Sequence, residues 1–250
     1  MRRLITLLFV ATLTITTNAE DFINGAYYIK ASPADLTFRW VGQSNTEIVP
    51  LKMGRTYSSE KNLFELITKD DQSVTLQLSS GLLVQVSPNS EFRIDAFNQM
   101  IADATIEPEI LRAGDFILNI SLMNGSAHII APKYSSSNTM CVLQTPLMNL
   151  ELNDGKYHIK ASQKFTFVYI LEGHVGIFNN QSNKKTTEHA GTAIIIFPSP
   201  MKATETMVTK KSIEPDEFQK MSLNLQKVEN LSPKMSFVVI GGKIIGIKLQ

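Results

Sequence analysis

From about Asp21 to Pro198, apolar and polar residues alternate in short runs broken by turn-forming residues. This is the period that half-buried β-strands impose. Val74, Leu76 and Leu78 alternate with Thr75, Gln77 and Ser79, and Leu118, Ile120 and Leu122 with Asn119 and Ser121. Asn124-Gly125 then predicts a hairpin turn before "SAHII". Met148, Leu150 and Leu152 run up to Asp154-Gly155, a second turn signal, and Phe165, Phe167, Tyr169 and Leu171 run up to Glu172-Gly173, with Val175 and Ile177 beyond. Short strands broken so regularly predict a mainly β fold of many short strands, as a sandwich, barrel or solenoid; alternation alone leaves the pairing open.

The stretch "SSGLLVQVSPNSEFRIDAF", residues 79 to 97, poses the main chemical question. Its polar break either carries an active group, Ser90 or Glu91, or only redirects the chain. Pro88 fixes its φ and has no N–H, Asn89 tolerates turn conformations, and Ser90 can bond nearby backbone, so the three predict a chain reversal. Leu82, Val84 and Val86 on one arm would then share a core with Phe92 and Ile94 on the other. On this reading Ser90 is a turn residue, not a nucleophile.

Residues 98 to 114, "NQMIADATIEPEILRAG", interrupt the strands as a short helix or an irregular loop. A helix is predicted over residues 212 to 231. Ser212 is positioned to cap it, Pro215 lies in the first turn, and Glu214, Asp216 and Glu217 favour the positive end of the dipole. Phe218, Met221, Leu225 and Val228 form one apolar stripe, expected to pack on the sheet rather than to hold a partner. Residues 236 to 249 read as a terminal hairpin around Gly241-Gly242.

The 250 residues carry a net charge of +1, with 43% hydrophobic and 19% charged residues. That is an ordinary globular composition with no electrostatic footprint for nucleic acid. At the start, Arg2 and Arg3 precede an apolar run from Leu4 to about Leu13 and then Thr17-Asn18-Ala19. This order predicts a signal peptide over residues 1 to 19. The alternative, a membrane anchor, needs a longer apolar run. Cleavage after Ala19 would leave 22 basic and 23 acidic residues, or −1. No further membrane span is expected, and the location expected is extracytoplasmic, periplasmic or secreted. Cys141 is the single cysteine, so no internal disulfide can form, and it reads as a buried strand residue.

No phosphate-cradling glycine loop, dinucleotide fingerprint, nucleophile elbow or Cys-x-x-Cys pair occurs. His128, His158, His174 and His189 lack the spacing that places two ligands side by side on one strand or helix face. His128 and His158 fall at polar positions of their strands and read as solvated. Asp70-Asp71 read as turn residues. No catalytic residue, cofactor-binding residue or metal ligand is assigned, and no cofactor is expected.

"FTFVYILEGHVGIF" followed by "AGTAIIIFPSP" is similar to the strands of a cupin barrel. That family places a His-x-His and a following Glu upstream of a glycine like Gly173. Here His158, Lys160 and Lys164 stand there, and a lysine ammonium is no metal ligand at neutral pH. The order "SGLLVQVSPNSEFRI", "LRAGDFILNI", "LQTPLMNLELNDGKYHI", "FTFVYILEGHVGIF" and "AGTAIIIFP" resembles a FecR-like domain more closely. Gly81, Pro88, Asn89, Ser90, Thr145, Pro146, Leu171, Glu172, Gly173, Val175, Ala190 and Gly191 carry the resemblance over about residues 47 to 198, with "IVPLKMG" around Gly54 upstream. The departure is Asn153-Asp154-Gly155-Lys156, where the family usually has Arg-Gly-Thr.

The family's namesakes join a cytoplasmic anti-sigma region and a membrane helix to this exported domain. With residues 1 to 19 read as a signal peptide, the resemblance implies a stand-alone exported β domain over residues 20 to 200. A helix and hairpin extension then occupies residues 201 to 250. The function expected is non-catalytic binding of an envelope protein or surface polymer, with a cupin-like metal-binding or enzymatic barrel as the alternative.

Overall fold

The computed structural model describes residues 22–31, 37–41, 46–58, 63–100, 109–111, 116–133, 139–179, 184–200, 205–230, 235–240 and 243–249. The expected signal peptide, most of the 98–114 segment and Gly241-Gly242 lie outside them. In chain order the strands are β1 (Phe22–Asn24), β2 (Ala26–Ala31), β3 (Thr37–Val41), β4 (Thr46–Pro50), β5 (Thr56–Ser58), β6 (Leu63–Ile67), β7 (Val74–Leu78), β8 (Leu83–Val86), β9 (Glu91–Met100) and β10 (Glu109–Leu111). They continue with β11 (Phe116–Ala131), β12 (Met140–Gln144), β13 (Asn149–Ala161), β14 (Thr166–Asn179), β15 (Lys184–His189), β16 (Thr192–Pro198) and β17 (Thr206–Ser212). Helix α1 (Pro215–Asn230), β18 (Met235–Ile240) and β19 (Lys243–Leu249) follow.

Sixteen strands form one continuous hydrogen-bonded network that folds into two layers. The first layer runs β5-β2-β7-β8-β11-β13-β14-β16-β17, antiparallel throughout. The second runs β4-β3-β6-β9-β11-β12-β13-β14-β15, with β1 beside the end of β9 and a parallel pairing between β11 and β12. Strands β11, β13 and β14 belong to both layers. The architecture is therefore a two-layer sandwich and not the closed barrel of the cupin alternative.

The core lies between the layers. Tyr27, Ile29, Leu76, Val84 and Ile129 of the first layer meet Phe38, Phe64, Phe92, Leu118 and Leu150 of the second. Ring centroids of Tyr27 and Phe64 are 4.7 Å apart, and those of Phe38 and Tyr57 4.9 Å, so aromatic side chains from both sheets interdigitate.

Three predicted turns prove to be corners inside long strands. At Gly125, β11 does not reverse; residues 116–124 pair with β9 and residues 125–131 with β8 and β13. Residues 149–151 of β13 pair with β12, and 155–161 with β11. Residues 166–170 of β14 pair with β16, and 174–179 with β15. Each long strand changes partners at its glycine, where register shifts mark bulges that bend it from one layer into the other. Turn chemistry in the sequence reports a local backbone bend, and whether the chain then reverses depends on the strand beside it.

The Pro88-Asn89-Ser90 stretch is the matching corner rather than a chain reversal. Strands β8 and β9 do not pair with each other; both run antiparallel to β11, one on each side of Gly125. The expected burial of Leu82, Val84, Val86, Phe92 and Ile94 in one core holds. Ala190-Gly191 likewise carries the chain from β15 to β16 alongside Gly173, with the Ala190 N–H donating to Gly173 O at 3.0 Å.

The segment read as helix or loop contributes instead the end of β9 and strand β10, which pairs with β18. The terminal hairpin is present as β18–β19, and β10 extends it to three strands. Helix α1 starts at Pro215, and Ser212 ends β17 instead of capping it. Among the described residues no helix is long and apolar enough to cross a membrane.

Candidate functional site

Four corners hold the residues that carry chemistry-like signals. At the first, Ser90 is 1% exposed. Its Oγ accepts the Ser126 N–H at 2.9 Å and lies 3.1 Å from Pro88 O and 3.2 Å from Ser126 O, either of which takes its one proton. The Ser90 N–H donates to Thr68 Oγ1 at 2.9 Å, and that hydroxyl donates to Ser87 O at 2.7 Å. Asn89 takes φ 54°, the left-handed conformation that asparagine tolerates. Glu91 opens β9 opposite Asn124. The hydroxyl is thus spent on fixing the corner.

The second corner is built around Tyr157. Its hydroxyl stands 2.9 Å from His174 O, 3.0 Å from Asn153 O and 3.1 Å from Asp154 O, and burial pushes its pKa upward. Gly155 and Gly173 are register partners here. The third signal, Thr145-Pro146, closes the β12–β13 turn: Thr145 Oγ1 donates to Met148 O at 2.9 Å and accepts the Met148 N–H at 3.1 Å. The fourth is Ala190-Gly191. Among the residues carrying the family resemblance, Asn89, Ser90, Thr145, Gly173 and Ala190 are therefore chain-directing groups.

The outward face of the first layer holds what sequence reasoning missed. His128, His158 and Tyr169 are consecutive register partners on β11, β13 and β14. The imidazoles stack with centroids 4.2 Å apart and a tilt of 33°, and His158 lies 5.7 Å from the Tyr169 ring. Both were expected to be solvated, yet they are 8% and 7% exposed. Both nitrogens of His128 and Nδ1 of His158 lack a hydrogen-bond partner among the described residues. Burial and then the Lys160 ammonium hold the His128 pKa down at about 4. Burial, then His128, then Lys160 hold that of His158 at about 3. His174 and His189 form a second cross-strand pair with centroids 6.0 Å apart. Sequence spacing excluded adjacency within one strand, but register creates it between strands.

Helix α1 crosses this face. Met221 and Leu225 bury against Tyr169, Leu171, Ala193 and Ile213, with Ile130 and Phe218 alongside. Lys156 Nζ is 3.1 Å from both Glu172 and Glu229, pinning the end of the helix to β13 and β14. A cavity of about 310 Å³ lies there, lined by Lys156, Leu171, Glu172, Leu225, Gln226 and Glu229.

The remaining candidates stand apart. Cys141 is buried, and desolvation pushes its thiol up to about 12. Asp70 and Asp71 occupy an exposed turn, as expected. His158 and Lys160 lie on the outward face, opposite the core residues Tyr157, Ile159 and Ala161. No group of three or more His, Cys, Asp or Glu able to hold a metal occurs among the described residues.

No protein-family model matches the chain, and no curated protein matches it. Two crystal structures of a candidate anti-sigma factor from Parabacteroides distasonis ATCC 8503 are similar to it. The 2.50 Å structure is 16% identical with a TM-score of 0.47, over 66% of this chain and 65% of that one. The 1.65 Å structure is 15% identical with a TM-score of 0.46, over 65% and 64%. The chain spans less than two thirds of the length of either.

Proposed function

We propose that this chain is a non-catalytic, extracytoplasmic FecR-like domain that captures an envelope protein or surface polymer. The observation that carries the reading is the use made of the signature residues Ser90 and Thr145 and of the neighbouring Tyr157. Ser90, Thr145 and Tyr157 spend their hydroxyls on backbone groups at corners, and Cys141 is a buried thiol held protonated. A nucleophile needs a base within hydrogen-bond reach and a site for substrate beside it. These groups have backbone partners or apolar surroundings instead. The signal-peptide pattern of residues 1 to 19 supports export.

The test is crosslinking in the native cell, with the attached material separated into envelope proteins and insoluble polymer. Recovery of one saturable partner from the envelope fraction supports the reading. Retention of the chain in the cytoplasm, or a hydrolase activity abolished by a single substitution, sinks it.

A metal-binding reading has one observation on its side, the unpartnered imidazoles of His128 and His158. Against it, Lys160 already disfavours positive charge at both rings. Stoichiometric iron, zinc or manganese in the purified protein would reverse the preference.

A further inference from the structure

Helix α1 covers only one end of the outward face of the first layer. It begins beside Gly191, where the Ile213 N–H donates to Gly191 O at 3.0 Å, and ends at Lys156, near the Gly155–Gly173 corner. Below it the apolar surface continues. Lys160, Phe167, Ile195 and Thr209 are register partners across four strands, and Phe197 pairs with Met207 in the next outward row. Phe165, just before β14, packs edge-on against Phe167, with centroids 4.9 Å apart. Phe165 is 37% and Met207 45% exposed, while Phe167, Ile195 and Phe197 are half-buried.

The exposed charges at the edge of this block are the basic Lys160 and Lys164. They make no ion pair among the described residues, Lys160 instead standing 5.8 Å over the Tyr169 ring. Of the acids at the helix start, half-buried Glu217 takes a hydrogen bond from Tyr169 beside Lys160, while Glu214 follows Ile213 at the Gly191 end, about 20 Å from the Phe197–Met207 row by the rise of six strand residues. Glu205, near the block, is half-buried and already partnered.

We infer that the block beyond the helix, Phe165, Ile195, Phe197 and Met207 with Lys160 and Lys164, next to the helix-packed Phe167, rests on an anionic lipid surface. Aromatic and thioether side chains enter the boundary of the acyl region, while lysine stems lie along the apolar surface and carry their ammonium groups to lipid phosphates. Phe165, Phe167, Ile195, Phe197 and Met207 have no side-chain hydrogen-bond donor with which to read sugar hydroxyls. Among the described residues, cavities that could seat a protein anchor lie along helix α1 or beside its end instead. This inference is independent of the proposed capture function, and its failure leaves that reading to its own test.

The experiment is vesicle flotation of the protein as recovered from its native cells, with phosphatidylglycerol or phosphatidylcholine vesicles. Partition onto phosphatidylglycerol and not phosphatidylcholine is expected, falling as salt is raised. The double variant Lys160→Glu/Lys164→Glu should lower the partition coefficient roughly thirtyfold or more, from the contribution of each lysine near a charged surface. Phe165→Ser/Met207→Ser should lower it while the near-UV circular dichroism stays native, and Lys227→Glu on the exposed side of α1 should leave it unchanged. Equal partition onto both lipids, no partition, or binding indifferent to both double variants overturns the inference. So does retention on an acidic polysaccharide, lost in both variants, without vesicle binding.

Discussion

Gly155 and Gly173 face each other as register partners at the corner where β13 and β14 pass together from one layer to the other. A Cβ on Gly173 would overlap the Asp154 carbonyl and stand 2.9 Å from Gly155 Cα, and one on Gly155 would overlap the Glu172 carbonyl. The two backbones touch because neither residue has a side chain. That contact, with the Tyr157 hydroxyl among three carbonyls, joins the layers at this end.

Gly173→Ala should therefore destabilise the fold far more than Gly191→Ala. Both glycines have positive φ, 78° and 83°, which costs an alanine about 1–2 kcal/mol. At Gly191 a Cβ meets nothing within 4 Å, so the conformational cost is the whole cost. At Gly173 the backbone overlap adds to it. Urea denaturation of the two variants measures the difference, and equal midpoints would contradict the corner contact.

Ser90→Ala should lower stability by about 1–2 kcal/mol, the cost of leaving the half-buried Ser126 N–H without its acceptor. Ser90→Thr keeps the hydroxyl and recovers part of the loss where the added methyl fits. Thermal unfolding measures both. A loss of ligand binding with unchanged stability would show that Ser90 is a functional group instead.

The stacked imidazoles make stability depend on pH in a defined direction. In the unfolded chain each histidine protonates near pH 6.5. In the fold the values are about 4 for His128 and about 3 for His158. Below 6.5 the unfolded state binds more protons, so stability is present in full above that pH and is lost progressively as pH falls towards 4 and then 3. Denaturation midpoints at pH 7.5, 5.5 and 4.5 should fall in that order, with a shallower decline in His128→Phe. A parallel decline in the variant would remove the pair as its source.

Leu225→Ala should loosen helix α1 before the sandwich. Leu225 is buried in the small cluster between helix and sheet, separate from the main core, and truncation of such a leucine costs about 2–5 kcal/mol. Hydrogen exchange should quicken over residues 215–230 while β7, β8 and β13 stay protected. Uniform acceleration across the chain would show that helix and sandwich unfold as one unit.

Much of this fold is legible in the sequence, because alternation is a local consequence of the pleat. Val74, Leu76 and Leu78 or Leu118, Ile120 and Leu122 declare a strand and its buried side without reference to any partner. The apolar stripe of α1 and its packing on the sheet were readable for the same reason. Asn124-Gly125, Asp154-Gly155 and Glu172-Gly173 declared where the backbone bends. They did not declare that the strand continues, because a hairpin and a bulged corner make the same local demand for glycine.

Tertiary structure alone decided the rest. Register brought His128 beside His158, thirty residues apart in the chain, and beside Tyr169, and the covering of that face turned two polar strand positions into buried, unpartnered imidazoles. Likewise Phe197 and Met207 were ordinary apolar residues on two strands until pairing placed them in one row outside the cluster that α1 buries. The side-chain pattern along a strand is determined by its own residues, whereas the neighbours of each side chain are determined by which strands pair and in what register. That choice is made by the whole core at once.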